Sequence, residues 1–442
     1  MFSNKQLVAL SIPVIIDAFL FMLVGLADST MVASVGPNAV TAVSLVDSIA
    51  AFFLLVQNSL SAGGGIVAAQ YIGKGDHESA CRTTKQTVYI SLIYTTLAAV
   101  VLIFSGSGIL RLVYQGLDKD VMEYCNQYFF WILLGFPVYA IGNTCATMLR
   151  AQTNTKLALY IAGTVNILNV IGNAILIYGF DMGIRGAAIS TTLSRFFYAI
   201  FGILALRIPD APIYIKNIFK VRFEKDLLKK VLRIGIASGI EGGLSQLGFI
   251  LVSVILASLG PIAVTVCNVS GKFGNLAWSL VASLQLVLMT VVGQCIGAGE
   301  IEQAKMYTKK FMRYANIAII VSFVLLSIFS YQLVSIYALD EDILRESAKQ
   351  LVFAGFFTVT TFYARCSIPF SAFRAAGDTR FSVVVSLIGM FAGRVLCSYI
   401  FAILLGLGVT GIWIGMGANH LICALFATIR LRSGKWLTKK VV

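Results

Sequence analysis

Charge is scarce in this sequence. Only 12% of its 442 residues are Asp, Glu, Lys or Arg, about half the share a soluble domain carries, so an ordinary water-soluble fold is excluded. Histidine is scarcer: His77 and His420 are the only two, and no metal-ligand cluster links them. No Ser-His or paired-Asp arrangement stands out, which sets enzyme chemistry aside. The eight cysteines lie mostly inside apolar stretches and include no C-x-x-C pair; they read as small apolar fillers, not disulfides or metal ligands. The phrase "GKGD" at Gly73–Asp76 follows no strand and lacks P-loop spacing, so it is not a nucleotide cradle. No cofactor is expected.

What fills the chain is hydrocarbon. Hydrophobic residues make up 58% of it, gathered into runs over 8–33, 44–72, 88–110, 125–149, 157–180, 186–208, 231–258, 263–296, 314–337, 350–373, 382–406 and 409–431. Each run is long enough to cross about 30 Å of bilayer core. The runs are continuous, unlike the short alternating strands of a β-barrel. The fold class is therefore an all-α polytopic membrane protein with twelve transmembrane helices. The first run is too long for a cleaved signal peptide and contains Asp17.

The net charge of +14 serves topology. With the N-terminus cytoplasmic, cytoplasmic segments hold 25 Lys and Arg and the opposite side five, which predicts both termini inside, in the plasma membrane, by the positive-inside rule. The expected partners are the lipid bilayer and small molecules, not nucleic acid, and the protein is expected to be a monomer.

The sequence also repeats itself. "QYIGKGDHESACRTTK" (Gln70–Lys85) returns as "QCIGAGEIEQAKMYTK" (Gln294–Lys309), 224 residues later. "SVGPNAVT" (Ser34–Thr41) returns as "SLGPIAVT" (Ser258–Thr265), and "RAQTNTK" (Arg150–Lys156) as "RAAGDTR" (Arg374–Arg380), at the same offset. "MGIRG" reappears as "LGVTG", slipped to 225. Each half holds six spans, an even number, so the two are parallel repeats of the kind secondary transporters use. The predicted organisation is an N-terminal lobe over 1–206, a cytoplasmic linker over 207–230, a C-terminal lobe over 231–430 and a basic tail over 431–442. Pro209 and Pro212 break the sixth helix, and the basic-aromatic remainder of the linker suits the membrane surface. Gly73-x-Gly75 and Gly297-x-Gly299 read as helix C-caps, each followed by an acid opening a short polar helix.

Ionisable side chains inside spans are costly and point to function by default. The acids are Asp17, Asp28, Asp47 and Glu241; the bases are Arg195, Lys272, Arg365 and Arg394. Asp17 and Glu241 stand 224 residues apart and so occupy one position of the repeat. Asp17 and Asp28 are eleven residues apart, on one helix face. Asn166, Asn169 and Asn173 form a polar stripe on span five; their carbonyl oxygens with a carboxylate suit a hard monovalent cation, and the alternative is interhelical hydrogen bonding. Lys272 is read as a counter-ion for Glu241 or Asp47, or as snorkelling to an interface. Phe21 and Phe273, near acids in sequence, are candidates for stacking on a flat organic cation.

Several blocks together resemble the MATE (multidrug and toxic compound extrusion) family: "ADSTMVASVGPNAVTAVS", "GGGIVAAQYIGKGDHESA", "NILNVIGNAILIYGFDMGIRGAAIST" and "FRAAGDTR". They look more like the DinF-type branch than the NorM-type branch. The resemblance implies two six-helix lobes around a central cavity, and export of cationic amphipathic compounds in exchange for H⁺ or Na⁺ by alternating access. It implies a cation-coupling set at Asp28, Asn169, Asn173 and Thr191; Asp17, on the same face of span one as Asp28, is added to that set from its position. Asn173 departs from the family pattern, where a second carboxylate stands; Asp28 acting alone as a proton carrier is the alternative to Na⁺. Glu241 matches an acid of span seven in NorM-type members, whose span-ten partner acid falls here on Tyr363. The substrate set expected is Glu241, Asp17, Phe21, Lys272 and Phe273. A lipid-linked oligosaccharide flippase of the same superfamily is the competing function; it calls for a strongly cationic cavity, against four intramembrane bases and four acids here.

Overall fold

A computed structural model describes residues 1–113, 118–209, 211–215, 223–337, 339–438 and 442. The linker stretch 216–222, for which the sequence suits the membrane surface, and residues 439–441 of the basic tail lie outside the described residues. Helices follow one another as α1 (Asn4–Ala33), α2 (Pro37–Lys74), α3 (His77–Val113), α4 (Lys119–Leu134), α5 (Phe136–Ala151), α6 (Thr155–Asn173) and α7 (Gly183–Ala205). The second half runs α8 (Lys225–Ala257), α9 (Pro261–Gly297), α10 (Ile301–Ile328), the short α11 (Ser330–Val334), α12 (Glu341–Thr360), α13 (Tyr363–Ala375), α14 (Thr379–Ile388), α15 (Cys397–Tyr399) and α16 (Val409–Ser433). No strand occurs among the described residues.

Among the described residues, ten helical segments are long and apolar enough to cross a membrane, and twelve when each of two bent pairs counts as one span. The bent pairs are α4 with α5, at 47°, and α12 with α13, at 57°. At the second bend Phe362 takes the left-handed conformation, φ 58°, which breaks the hydrogen-bond ladder of a continuous helix. The chain divides into two compact units, Phe2–Gly239 and Ile240–Val442.

Each unit has its own apolar core, the first rich in alanine and the second built mostly from larger side chains. In the first, Ala39, Ala42, Val46 and Ala50 of α2 pack with Cys125, Phe129 and Leu133 of α4 and Ala187 and Ala188 of α7. In the second, Val252, Val266, Ile412, Trp413 and Met416 cluster. Small side chains let helix backbones approach closely where lipid supplies no hydrophobic drive.

The duplicated phrase folds the same way twice. Gly75 (φ 82°) and Gly299 (φ 78°) adopt the left-handed conformation, and the next amide, of Asp76 or Glu300, donates back to Tyr71 O or Cys295 O at 2.9 Å. The expected short polar helix is not separate. Its residues are the opening turns of α3 and α10, which continue unbroken into the next span, because nothing after the acid interrupts the backbone ladder. Asp76 caps α3 by accepting from the Ser79 amide at 2.9 Å, which holds its carboxyl below the usual value. The break after α7 is as expected: the helix ends at Ala205, four residues before Pro209.

Candidate functional site

In the first unit, three helices bring the polar residues together. Asp28 lies in the last turns of α1, Asn169 and Asn173 on the buried side of α6, and Thr191 on α7. Asn154 sets the start of α6 by accepting from Leu157 N at 3.3 Å. Ser190 Oγ pins α7 to α6 by donating to the Asn169 carbonyl at 2.9 Å. Directly after Asn173 the helix widens into a π-helical turn, Ala174–Gly179, a distortion that often marks functional positions.

Asn173 Nδ2 donates to Asp28 Oδ1 at 2.7 Å. Its own Oδ1 is buried with no hydrogen-bond partner. The Asn169 amide is best set with its nitrogen towards Asp28, because the opposite setting puts its oxygen against that carboxylate. Facing one way its nitrogen donates to Thr191 Oγ1 at 3.4 Å; turned over, the nitrogen lies 3.0 and 3.2 Å from the two Asp28 oxygens. The cluster thus offers one carboxylate and three neutral side-chain oxygens, the hard donor set an alkali cation takes, and the Asn173 oxygen is left to accept from a donor or a cation. Asn166, one turn earlier, makes none of these bonds. Asp47 lies within electrostatic reach of Asp28; it is hydrogen-bonded to Tyr128 and faces the Arg195 charge. Arg195 donates to Ile132 O at 2.9 Å and lies 5.5 Å from the Tyr139 ring.

Asp17 is not part of this cluster. Its carboxylate takes Arg150 Nη2 at 2.7 Å, with both side chains about four-fifths covered. In the second unit Glu241 does the same with Arg374, whose Nη1 lies 3.2 Å from each carboxylate oxygen, and Ser386 Oγ adds a bond of 2.8 Å. Both pairs span 133 residues. The two acids are therefore occupied by arginines that the sequence reading had counted only as topology charges. The available signal was the arginine that opens both "RAQTNTK" and "RAAGDTR" at the repeat offset.

Lys272 does not neutralise Glu241, whose oxygens belong to Arg374 and Ser386. Its ammonium sits 5.6 Å from the Tyr337 ring centre, and Phe273 meets the same ring edge-on at 6.2 Å. Phe273 packs against Val269, Val334, Leu344 and Ala348, so its face is spent on the core. Phe21 is 76% exposed. Tyr363, at the missing acid position, packs on His420 with ring centres 4.9 Å apart.

The comparisons with known proteins agree with the duplication. The family model described as MatE matches residues 13–175 and again 238–400, once per half. The chain is 25% identical to the "Uncharacterized transporter YisQ" of Bacillus subtilis, over 98% of this chain and 95% of that protein. It is 24% identical to the "Probable multidrug resistance protein NorM" of Thermotoga maritima, over 99% and 94%. Among solved structures, an "Outward-facing conformation of a multidrug resistance MATE family transporter of the MOP superfamily" superposes with a TM-score of 0.90 at 21% identity, covering 98% of this chain and 96% of that one.

Proposed function

Because this chain belongs to the MatE family, whose model covers both of its halves, we propose that it is a multidrug efflux transporter of the cell membrane, with both termini cytoplasmic, working as a cation-coupled antiporter. The cargo is a small amphipathic organic cation, and the coupling ion, H⁺ or Na⁺, is taken at Asp28. The observation that carries this reading is the convergence of Asn169 and Asn173 on the Asp28 carboxylate, with Thr191 beside them.

The chemistry follows from the donor set. Sodium bound at Asp28 would draw the Asn173 and Asn169 carbonyl oxygens and Thr191 Oγ1 inward and turn their amide nitrogens away. A proton would neutralise Asp28 and weaken its attraction for the same amide donors. Either ion changes the bonds that tie α1 to α6 and α7, and so favours one arrangement of the lobe over another. Exchange requires that ion and cargo prefer different arrangements. The two named relatives, a transporter and a probable multidrug resistance protein, support transport in place of enzyme activity.

The test is uptake of a fluorescent cationic dye into inverted vesicles, with an imposed Na⁺ gradient compared with a pH gradient. Asp28→Asn is expected to abolish gradient-driven uptake while the protein stays folded in the membrane. Undiminished uptake by that variant removes the proposal.

A further inference from the structure

Away from the polar cluster, α6 and α7 leave a groove on the surface of the first unit, about 390 Å³ in volume. Leu157, Tyr160 and Thr164 line it from α6, Phe201 and Leu204 from α7, and Ile208 from the chain just beyond the end of α7. The α6 set follows i, i+3, i+7 spacing, and Phe201 and Leu204 stand three apart on α7, so each set is one face of its helix. Seven residues of helix make the groove about 10 Å long, roughly two-thirds of one leaflet's hydrocarbon depth. Tyr160 and Leu204 are 67% and 54% exposed, so no protein side chain closes it.

Charge gathers at one end of the groove only. Lys156 precedes Leu157 and Arg207 precedes Ile208, both exposed. No hydrogen bond or ion pair holds either cation among the described residues. Lys156 also lines a second hollow, about 250 Å³, of mixed character, together with Phe2, Gln6, Leu10, Thr153 and Asn154. Hydrocarbon groove and then exposed cations at one end follow in the order of acyl chain and phosphate.

We propose that this groove holds one anionic phospholipid from the leaflet at the basic end of the helices. One acyl chain lies between α6 and α7, and its phosphate meets Lys156 and Arg207. A neutral lipid satisfies the groove but leaves both cations unanswered, and each cation near an anionic lipid surface adds measurable affinity.

Native mass spectrometry of the full-length protein, delipidated and titrated with phosphatidylglycerol or with phosphatidylcholine of the same acyl chains, tests this. The expected result is one retained phosphatidylglycerol, favoured over phosphatidylcholine by on the order of tenfold. Lys156→Ala with Arg207→Ala is expected to erase that preference. Leu204→Trp, which fills the groove and keeps both charges, is expected to displace the retained lipid. Melting temperatures of the variants serve as the folding control. Equal retention of the two lipids by the unaltered protein, or an unchanged preference in the double alanine variant, overturns the proposal.

Discussion

At the scale of single residues, the acids separate into two kinds. Asp17 and Glu241 are each clamped by an arginine, whereas Asp28 is met only by neutral amides, so its charge is still open to an ion. Breaking a fully buried ion pair costs about 3–5 kcal/mol; the Asp17–Arg150 side chains are about one-fifth exposed, which reduces this to roughly 1–3 kcal/mol. Arg150→Gln is therefore expected to lower the melting temperature in detergent, and Asp17→Asn on that background to restore part of the loss. Simple additivity of the two losses would mean the pair carries no coupling. In the ion cluster, Asn173→Asp supplies a second carboxylate where an amide stands. It is expected to strengthen sodium binding, read as a larger rise in melting temperature on replacing choline with Na⁺; an unchanged rise would place the cation elsewhere.

At the scale of elements, close packing and capping decide what the helices tolerate. A Cβ on Gly411 would stand 2.3 Å from Ala402 N and 2.6 Å from Phe401 C, backbone atoms of the π-helical segment Ile400–Leu404. These atoms cannot swing aside as a side-chain tip can. Gly411→Ala is expected to destabilise by about 1–3 kcal/mol, the range for overpacking, measured as a lower melting temperature. Asp76→Ala is expected to cost about 1 kcal/mol through the lost N-cap. The folded Asp76 carboxyl sits below its usual value, so the cap's contribution is complete above about pH 4 and fades as pH falls through the lower folded value. The difference in melting temperature between Asp76→Ala and the unaltered protein should therefore shrink only in acid; a difference that is constant down to that range would count against the cap.

At the scale of the whole molecule, the two halves share architecture but not chemistry. Offset by 224 residues, Asp28, Asn169 and Asn173 fall on Val252, Gly393 and Cys397; offset by 225, Thr191 falls on Met416. Val252 and Met416 sit in an apolar core cluster, and Gly393 leaves room for the Asn419 backbone, 2.7 Å from where its Cβ would stand. The second half thus lacks the donor set. Titration calorimetry with the coupling ion is expected to give one site per chain, lost in Asp28→Asn and retained in Glu241→Gln. Two sites, or loss with Glu241→Gln, would contradict the assignment of binding to the first half.

The sequence by itself determined the number of spans, the helical class and the duplication, because bilayer thickness imposes run length and a gapless offset survives without any coordinates. It also placed Asp28, Asn169, Asn173 and Thr191 in one set through the family resemblance. It did not reveal that Arg150 and Arg374 reach Asp17 and Glu241, that Lys272 rests on Tyr337, or that Phe273 is a core residue. Those facts depend on how far a long side chain extends across a helix interface, and hydropathy and spacing along one chain carry no such distance. Only the packed tertiary structure decides which acid is neutralised and which remains open to an ion.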